Sequence, residues 1–310
     1  MNVFKSSVLA VAIMSAAGVN AQLTQADLDG LSGPEILPVP AEGLQPVNLY
    51  IATGVAAYNA VVDGGRQLPT SGGGNYAIWQ VGNGSDAEVD IDQTGAQTLN
   101  VVYVDTSESV KSKVDVEQTG SFSAAYVDFN GGQGQDSLGN LGIISQSGSG
   151  NVAGLDVGSN SNYNDFRVNQ SGSDNIAIVR GRDMTNRNEV TVDMIDGSSN
   201  KAIVTFNNPA NGGAGASRNN VDIDIVGGSS NFVRTQVLGD GSLRNTVDID
   251  VKGNSERNRV FTKQTASDSY ADISLDASSD NAVLISQTSN NSVAYIIGNG
   301  AQGNVGIINQ

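Results

Sequence analysis

The chain has 310 residues with 38 glycines, 5% aromatic residues and a formal net charge of −16. That mixture argues against a conventional globular core, and the charge argues against nucleic acid or an anionic membrane surface as partner. Neither cysteine nor histidine is present, which removes disulfides, thiol nucleophiles and the commonest general base and metal ligand. Disorder is the first alternative for so much Gly, Asn, Ser, Gln and Asp. Against it, Val, Ile, Phe and Leu alternate with polar residues at the period of a half-buried strand.

Residues 1–21 read as a secretory signal. Lys5 supplies the positive start, 8–14 the apolar stretch, and Val19-Asn20-Ala21 the small residues of a cleavage site. The expectation is an exported protein of the cell surface or extracellular space; no later segment is long and apolar enough to span a bilayer. Residues 22–74 form an extension holding Pro34, Pro38, Pro40, Pro46 and Pro69. Proline lacks the amide a sheet ladder needs, so most of this stretch is not central strand. Its most apolar part, 44–62, fits a strand or a short helix, and 71–74 reads as a flexible joint. Tyr50, Tyr58, Tyr76 and Trp79 are few and aperiodic; packing of the extension on the first rung fits them better than a carbohydrate surface does.

From Asn75 a repeat takes over, with residues 75–310 as its domain. Its clearest copy is Asn164-x-Phe166-x-Val168-x-Gln170-x-Gly172-x-x-Asn175-x-Ala177. One such strand–arc–strand unit cannot bury its own apolar face and must stack on copies of itself. First strands are expected at 87–93, 112–118, 140–146, 164–170, 188–194, 219–225, 245–251, 269–275 and 291–297. Second strands open at Asn100, Ser123, Asn151, Asn175, Asn200, Asn231, Asn258, Asn281 and Asn304. That gives an all-β solenoid of about nine stacked units with a mean period of about 25 residues, preceded by a half-unit at 75–81. Inserts at 130–139 and 207–217 fall between units.

Alternation sorts each strand into faces. In 219–225 the inward set is Asn219, Val221, Ile223 and Ile225; in 245–251 it is Asn245, Val247, Ile249 and Val251. Stacked inward Asn and Gln can chain amide hydrogen bonds from rung to rung and so satisfy groups that are costly to bury. The expected ladder residues are Asn140, Gln146, Asn151, Asn164, Gln170, Asn175, Gln264, Gln287 and Gln310. Gly95, Gly120, Gly148, Gly172, Gly197, Gly228 and Gly253 suit an arc that needs positive φ. In 291–297 the same rule puts Val293, Tyr295 and Ile297 inward and Ala294 and Ile296 outward. The expectation is an uncapped last rung, whose open edge would template pairing with another chain.

The paired acids Asp90/Asp92, Asp115/Glu117, Asp222/Asp224 and Asp248/Asp250 are two apart on strands, which makes them a solvated outer face. Calcium bridging between rungs is the lesser reading. No unit holds a singular constellation for catalysis, so neither an enzyme nor a cofactor or metal site is expected.

The motif resembles the curlin repeat, the Ser-x5-Gln-x-Gly-x-x-Asn-x-Ala-x3-Gln unit of bacterial curli subunits. The best matches are Asn140…Gln146-Ser147-Gly148-Ser149-Gly150-Asn151-Val152-Ala153 and Asn164…Gln170-Ser171-Gly172-Ser173-Asp174-Asn175-Ile176-Ala177. The closing Gln appears at Gln264, Gln287 and Gln310. Met194, Ile225, Val251, Leu275 and Ile297 replace the first Gln in later units. The resemblance implies an amyloid-like cross-β architecture and an exported fibre subunit of the biofilm matrix. It implies partners too: further copies of the chain, a nucleating minor subunit and an outer-membrane secretion pore. The alternatives are a capped monomeric solenoid, acting as an adhesin or ligand-binding protein, and a minor nucleator or accessory subunit.

Overall fold

The structure is a computed structural model. It describes residues 75–310 apart from 81–85, 95–99, 107–108, 122, 130–136, 159, 182–183, 207–214, 230, 238–241, 254–255, 277–278 and 301. The expected signal and extension (1–74), Gly95 and most of both expected inserts therefore lie outside the described residues. The described part is all-β, without helix, and winds as a parallel β-solenoid of about eight turns.

Two long ladders of parallel strands run along it. The first sheet stacks Glu88–Gln93, Lys113–Gln118, Leu141–Gln146, Asp165–Ser173, Glu189–Ser198, Asn220–Asp222, Thr246–Val247, Tyr270–Asp272 and Val293–Tyr295 in that order. The second stacks Tyr76–Gln80, Val101–Asp105 and Ala124–Asp128. Single bridges carry it on from Ala124 through Val152, Ile176 and Lys201 to Phe232. Phe232–Val237, Arg259–Gln264, Ala282–Gln287 and Val305–Asn309 complete it. Neighbouring strands pair in matched register, as in Val114↔Gly142↔Phe166↔Val190↔Val221↔Val247↔Ala271↔Ala294.

The core lies between the sheets. Val114, Val116, Ile144, Phe166, Val190, Val192, Val221, Ile223, Val247 and Ile249 face it from the first sheet, all fully buried. Val102, Val104, Val127, Val204, Val233 and Ile285 face it from the second. Phe166 and Phe206 stack across it with ring centroids 6.0 Å apart. Each buried branched side chain contributes roughly 1.5–3 kcal/mol, enough to hold one thin turn only because the turns on either side cover its top and bottom.

Two corners of each turn need left-handed backbone. Tyr163, Arg187, Arg218, Arg244, Asp268 and Asn291 have φ of 56–60° and immediately precede the ladder residue of the first sheet. Asp174, Ser199, Arg257 and Asp280, with φ of 53–58°, do the same before the second. The conformation costs roughly 1–2 kcal/mol for a non-glycine. Each residue offsets it by donating its N–H to the preceding turn, as Tyr163 does to Leu138 O (2.8 Å), Arg187 to Asn162 O (2.9 Å) and Asp174 to Ser149 O (2.9 Å).

The corner at Asn291 corrects the expected faces of the last rung. Asn291 is the left-handed corner residue, and Tyr270 pairs with Val293, so Ser292 takes the ladder position. The faces of 291–297 are therefore reversed. Ala294 is buried and Ile296 packs on the core, while Val293, Tyr295 and Ile297 are 49%, 57% and 72% exposed. A slip of one residue exchanges every side chain between faces. Gly298, not Ile297, then stands where the early units carry Gln.

Candidate stacking ladders

Four columns of amides run inside the solenoid. In the first sheet Asn140, Asn164, Asn188, Asn219 and Asn245 are each 1% exposed. The backbone N–H of each donates to the Oδ1 of the one before: Asn164 to Asn140 at 3.0 Å, Asn188 to Asn164 at 3.0 Å, Asn219 to Asn188 at 2.9 Å, Asn245 to Asn219 at 2.9 Å. The side-chain Nδ2 of Asn164 also donates to Asn140 Oδ1 (3.0 Å) and to Thr185 O (2.8 Å). Ser112 and Ser269 continue the column at either end through Asn140 N to Ser112 Oγ (3.1 Å) and Ser269 N to Asn245 Oδ1 (2.8 Å). The second sheet repeats the device over Asn151, Asn175, Asn200, Asn231, Asn258, Asn281 and Asn304, with N–H to Oδ1 distances of 2.9–3.2 Å. Oriented this way, a buried amide strands almost nothing.

Glutamines form the other two columns, and these are shorter. In the first sheet Gln93, Gln118, Gln146 and Gln170 pass Nε2 to Oε1 at 2.8, 2.7 and 2.8 Å. Met194 follows, so the buried Nε2 of Gln170 finds no acceptor. In the second sheet Gln264, Gln287 and Gln310 link at 2.9 and 3.1 Å. Val237 precedes that column, and the buried Oε1 of Gln264 is left without a donor. All nine expected ladder residues thus join columns. Gln93, Gln118 and the Asn column residues from Asn188 onward belong equally, and their matching offsets carried the signal.

The arc glycines divide by cause. Gly148, Gly172 and Gly228 have φ of 92°, 91° and 80°, as expected. Gly120, Gly197 and Gly253 do not have positive φ, which corrects the reading for those three. A Cβ on Gly120 would strike the carbonyl oxygen of Gly148, and one on Gly197 would strike Asn200 Nδ2. Close stacking of backbone on the next rung is the reason for glycine at 120, and the Asn200 side chain of its own arc is the reason at 197; at Gly253 nothing lies within 4 Å.

Outside, the acids gather where Asp193, Asp222, Asp224, Asp248, Asp250 and Asp272 project from adjacent rungs. Burial first, and then the neighbouring carboxylates, raise the pKa of Asp224 (Asp250) and Asp248 (Asp272, Asp222, Asp250); Asp193 is raised by burial and then by Asp222. Lys252 meets Asp250 at 2.6 Å. On two corners the sign reverses: hydrogen bonds from Arg244 and Arg257 hold Asp268 and Asp280 below the ordinary carboxylate range. Among the described residues no group of three or more acids converges as a metal-holding set, and no helix is long and apolar enough to cross a membrane.

Comparison with family models, with curated proteins and with solved structures returns no match.

Proposed function

We propose that the chain is a non-enzymatic structural subunit of a curli-like extracellular fibre in a biofilm matrix. In this reading nine curlin-like units stack within the molecule, and the same stacking continues into the next copy as cross-β. The export route of the resemblance, through a secretion pore with nucleation by a minor subunit, belongs to the same proposal.

One observation carries it: in the second sheet the asparagine column and the glutamine column both run on to the last described turn. Asn304 N–H reaches Asn281 Oδ1 at 2.9 Å and Gln287 Nε2 reaches Gln310 Oε1 at 3.1 Å. Val293–Tyr295 and Val305–Asn309 lie at the margins of their sheets. Most of the large exposed apolar side chains gather there: Val293, Tyr295, Ile297, Val305 and Ile307, at 49–72%. A margin with open backbone groups and apolar side chains templates further pairing.

The test is electron microscopy of the purified mature chain after days at room temperature, with and without residues 22–74. Fibres from both chains, giving a 4.7–4.8 Å diffraction spacing, are expected. Fibres only after truncation would favour the capped monomer, and none from either chain would end the fibre reading.

A further inference from the structure

Three apolar columns run the length of the core and end on half-covered residues. In the second sheet the inward column starts at Trp79, passes through Val104 and Val127, and reaches Ile285 and Ile308 by ladder register. Its members between Trp79 and Ile308 are fully buried, whereas Trp79 is 47% exposed and Ile308 is covered only in part. In the first sheet Val89 and Ile91 open two inward columns that Ala294 and Ile296 close. Of these four, all but Ala294 are only partly covered. Trp79 differs from its column in kind. Every other member is Val, Leu, Ile or Thr, and Trp79 is the single tryptophan of the chain. Its Nε1–H donates to Thr106 Oγ1 on the next rung at 2.9 Å. An indole whose one donor is satisfied inside its own molecule offers the rest of its surface as apolar area.

We propose that Trp79 is the seat for a second copy of the chain, whose Ile308 rests on the indole. The inference depends on the fibre reading and names its junction. Call the margin at Tyr76–Gln80 and Glu88–Gln93 the head, and the margin at Val293–Tyr295 and Val305–Asn309 the tail. The register inside the molecule fixes which residues meet when a tail meets a head. One further rung of the second sheet sets Ile308 over Trp79. The same step in the first sheet sets Ala294 over Val89 and Ile296 over Ile91. The half-covered residues of one margin thus fall on those of the other, and each column continues as it runs within the molecule. The amides contribute less to this contact. Asn304 falls over Asn75, which already belongs to the asparagine column through Asn100 N–H to Asn75 Oδ1 at 3.3 Å. Gly298, however, has no side chain to meet Gln93, so the glutamine chain of the first sheet stops at the junction. Apolar burial therefore carries the contact, and an indole brings more surface to it than the smaller residue at that position in every other rung.

The test blocks one margin at a time in the full mature chain. Trp79→Lys keeps an aliphatic stem over Val104 and puts a charge on the head; Ile308→Lys does the same to the tail. Each variant alone is expected to sediment as a monomer, and their equimolar mixture as a dimer and nothing longer. Only the Ile308→Lys chain still carries a tryptophan. Its emission is expected to move to the blue when the Trp79→Lys chain is added, and its quenching by acrylamide to fall. A mixture that stays monomeric, a variant that pairs with itself, or an emission that does not move overturns the proposal. The parent chain separates this result from the fibre reading and needs no substitution. Filaments in which Trp79 is as open to acrylamide as in the monomer overturn the junction and leave the fibre standing, whereas the absence of filaments ends both.

Discussion

Gln146 and Gln170 share a side chain, a column and complete burial, yet substitution strands different groups at each. Replacing Gln146 with Met leaves Gln118 Nε2 without its acceptor and Gln170 Oε1 without its donor. Gln170→Met strands Gln146 Nε2 but removes the Gln170 Nε2 that already lacks a partner, and it extends the apolar column begun by Met194. Each stranded group costs about 1–3 kcal/mol. In urea unfolding Gln146→Met should therefore lose at least about 2 kcal/mol while Gln170→Met stays within about 1 kcal/mol of the parent; equal losses would show that the amide chain is not the stabilising unit. Glycine makes a similar pair. Gly172→Ala combines a φ of 91° with a clash on the Gly197 carbonyl and should cost about 2 kcal/mol or more. Gly253→Ala, with open space around it, should be silent within about 0.5 kcal/mol. Both are read from the shift in unfolding midpoint.

At the scale of strands and corners, much was legible beforehand. Val221, Ile223, Val247 and Ile249 alternate strictly with acids, and a period of two admits only one inward set. The last rung was misread because Asn291 looks like a ladder Asn. Asparagine is at home both inside the column and at the left-handed corner before it, so identity alone leaves the two apart by one residue. The reason for Gly120 was hidden differently, because contact with Gly148 depends on which rung stacks above.

The acid columns set a pH dependence for these same strands. Asp193, Asp224 and Asp248 have folded-state pKa values raised by burial and by one another, above the unfolded value of about 3.9. As pH falls the folded chain takes up these protons first, so stability should rise from neutral pH through the raised values and level off near 3.9. Asp268 and Asp280 work in the opposite sense: the stability from their Arg pairs is present above about 3.9 and is lost as pH falls through their depressed values. Urea midpoints measured from pH 7 to pH 3 should pass through a maximum near pH 4. The triple variant Asp193→Asn, Asp224→Asn and Asp248→Asn should flatten the upper limb, and a midpoint that falls steadily from pH 7 in the parent would contradict this account.

For the whole molecule, in the proposed fibre, the same charges act between copies. Two carboxylates one rung apart in water repel by about 1 kcal/mol, less in salt, against roughly 1.5–3 kcal/mol for each branched side chain that stacking buries. Burial wins once contact is made, but a net charge of −16 slows the approach of two like molecules. Assembly followed by thioflavin fluorescence should accelerate when salt is added at pH 7 or when pH is lowered toward 4. Kinetics indifferent to both would rule out charge as the brake. The repeat made the architecture readable from sequence because each turn restates the last, whereas the extension says nothing twice.

The asparagine columns also give the solenoid a direction. In both sheets the N–H of each later residue points back to the Oδ1 of the one before, from Asn164 on Asn140 to Asn304 on Asn281. A copy arriving in the same sense continues donor onto acceptor, while an inverted copy sets acceptors against acceptors. A filament of such molecules is therefore an arrow, with a leading and a trailing tip that differ chemically. Watched one at a time, such filaments should lengthen faster at one tip than at the other.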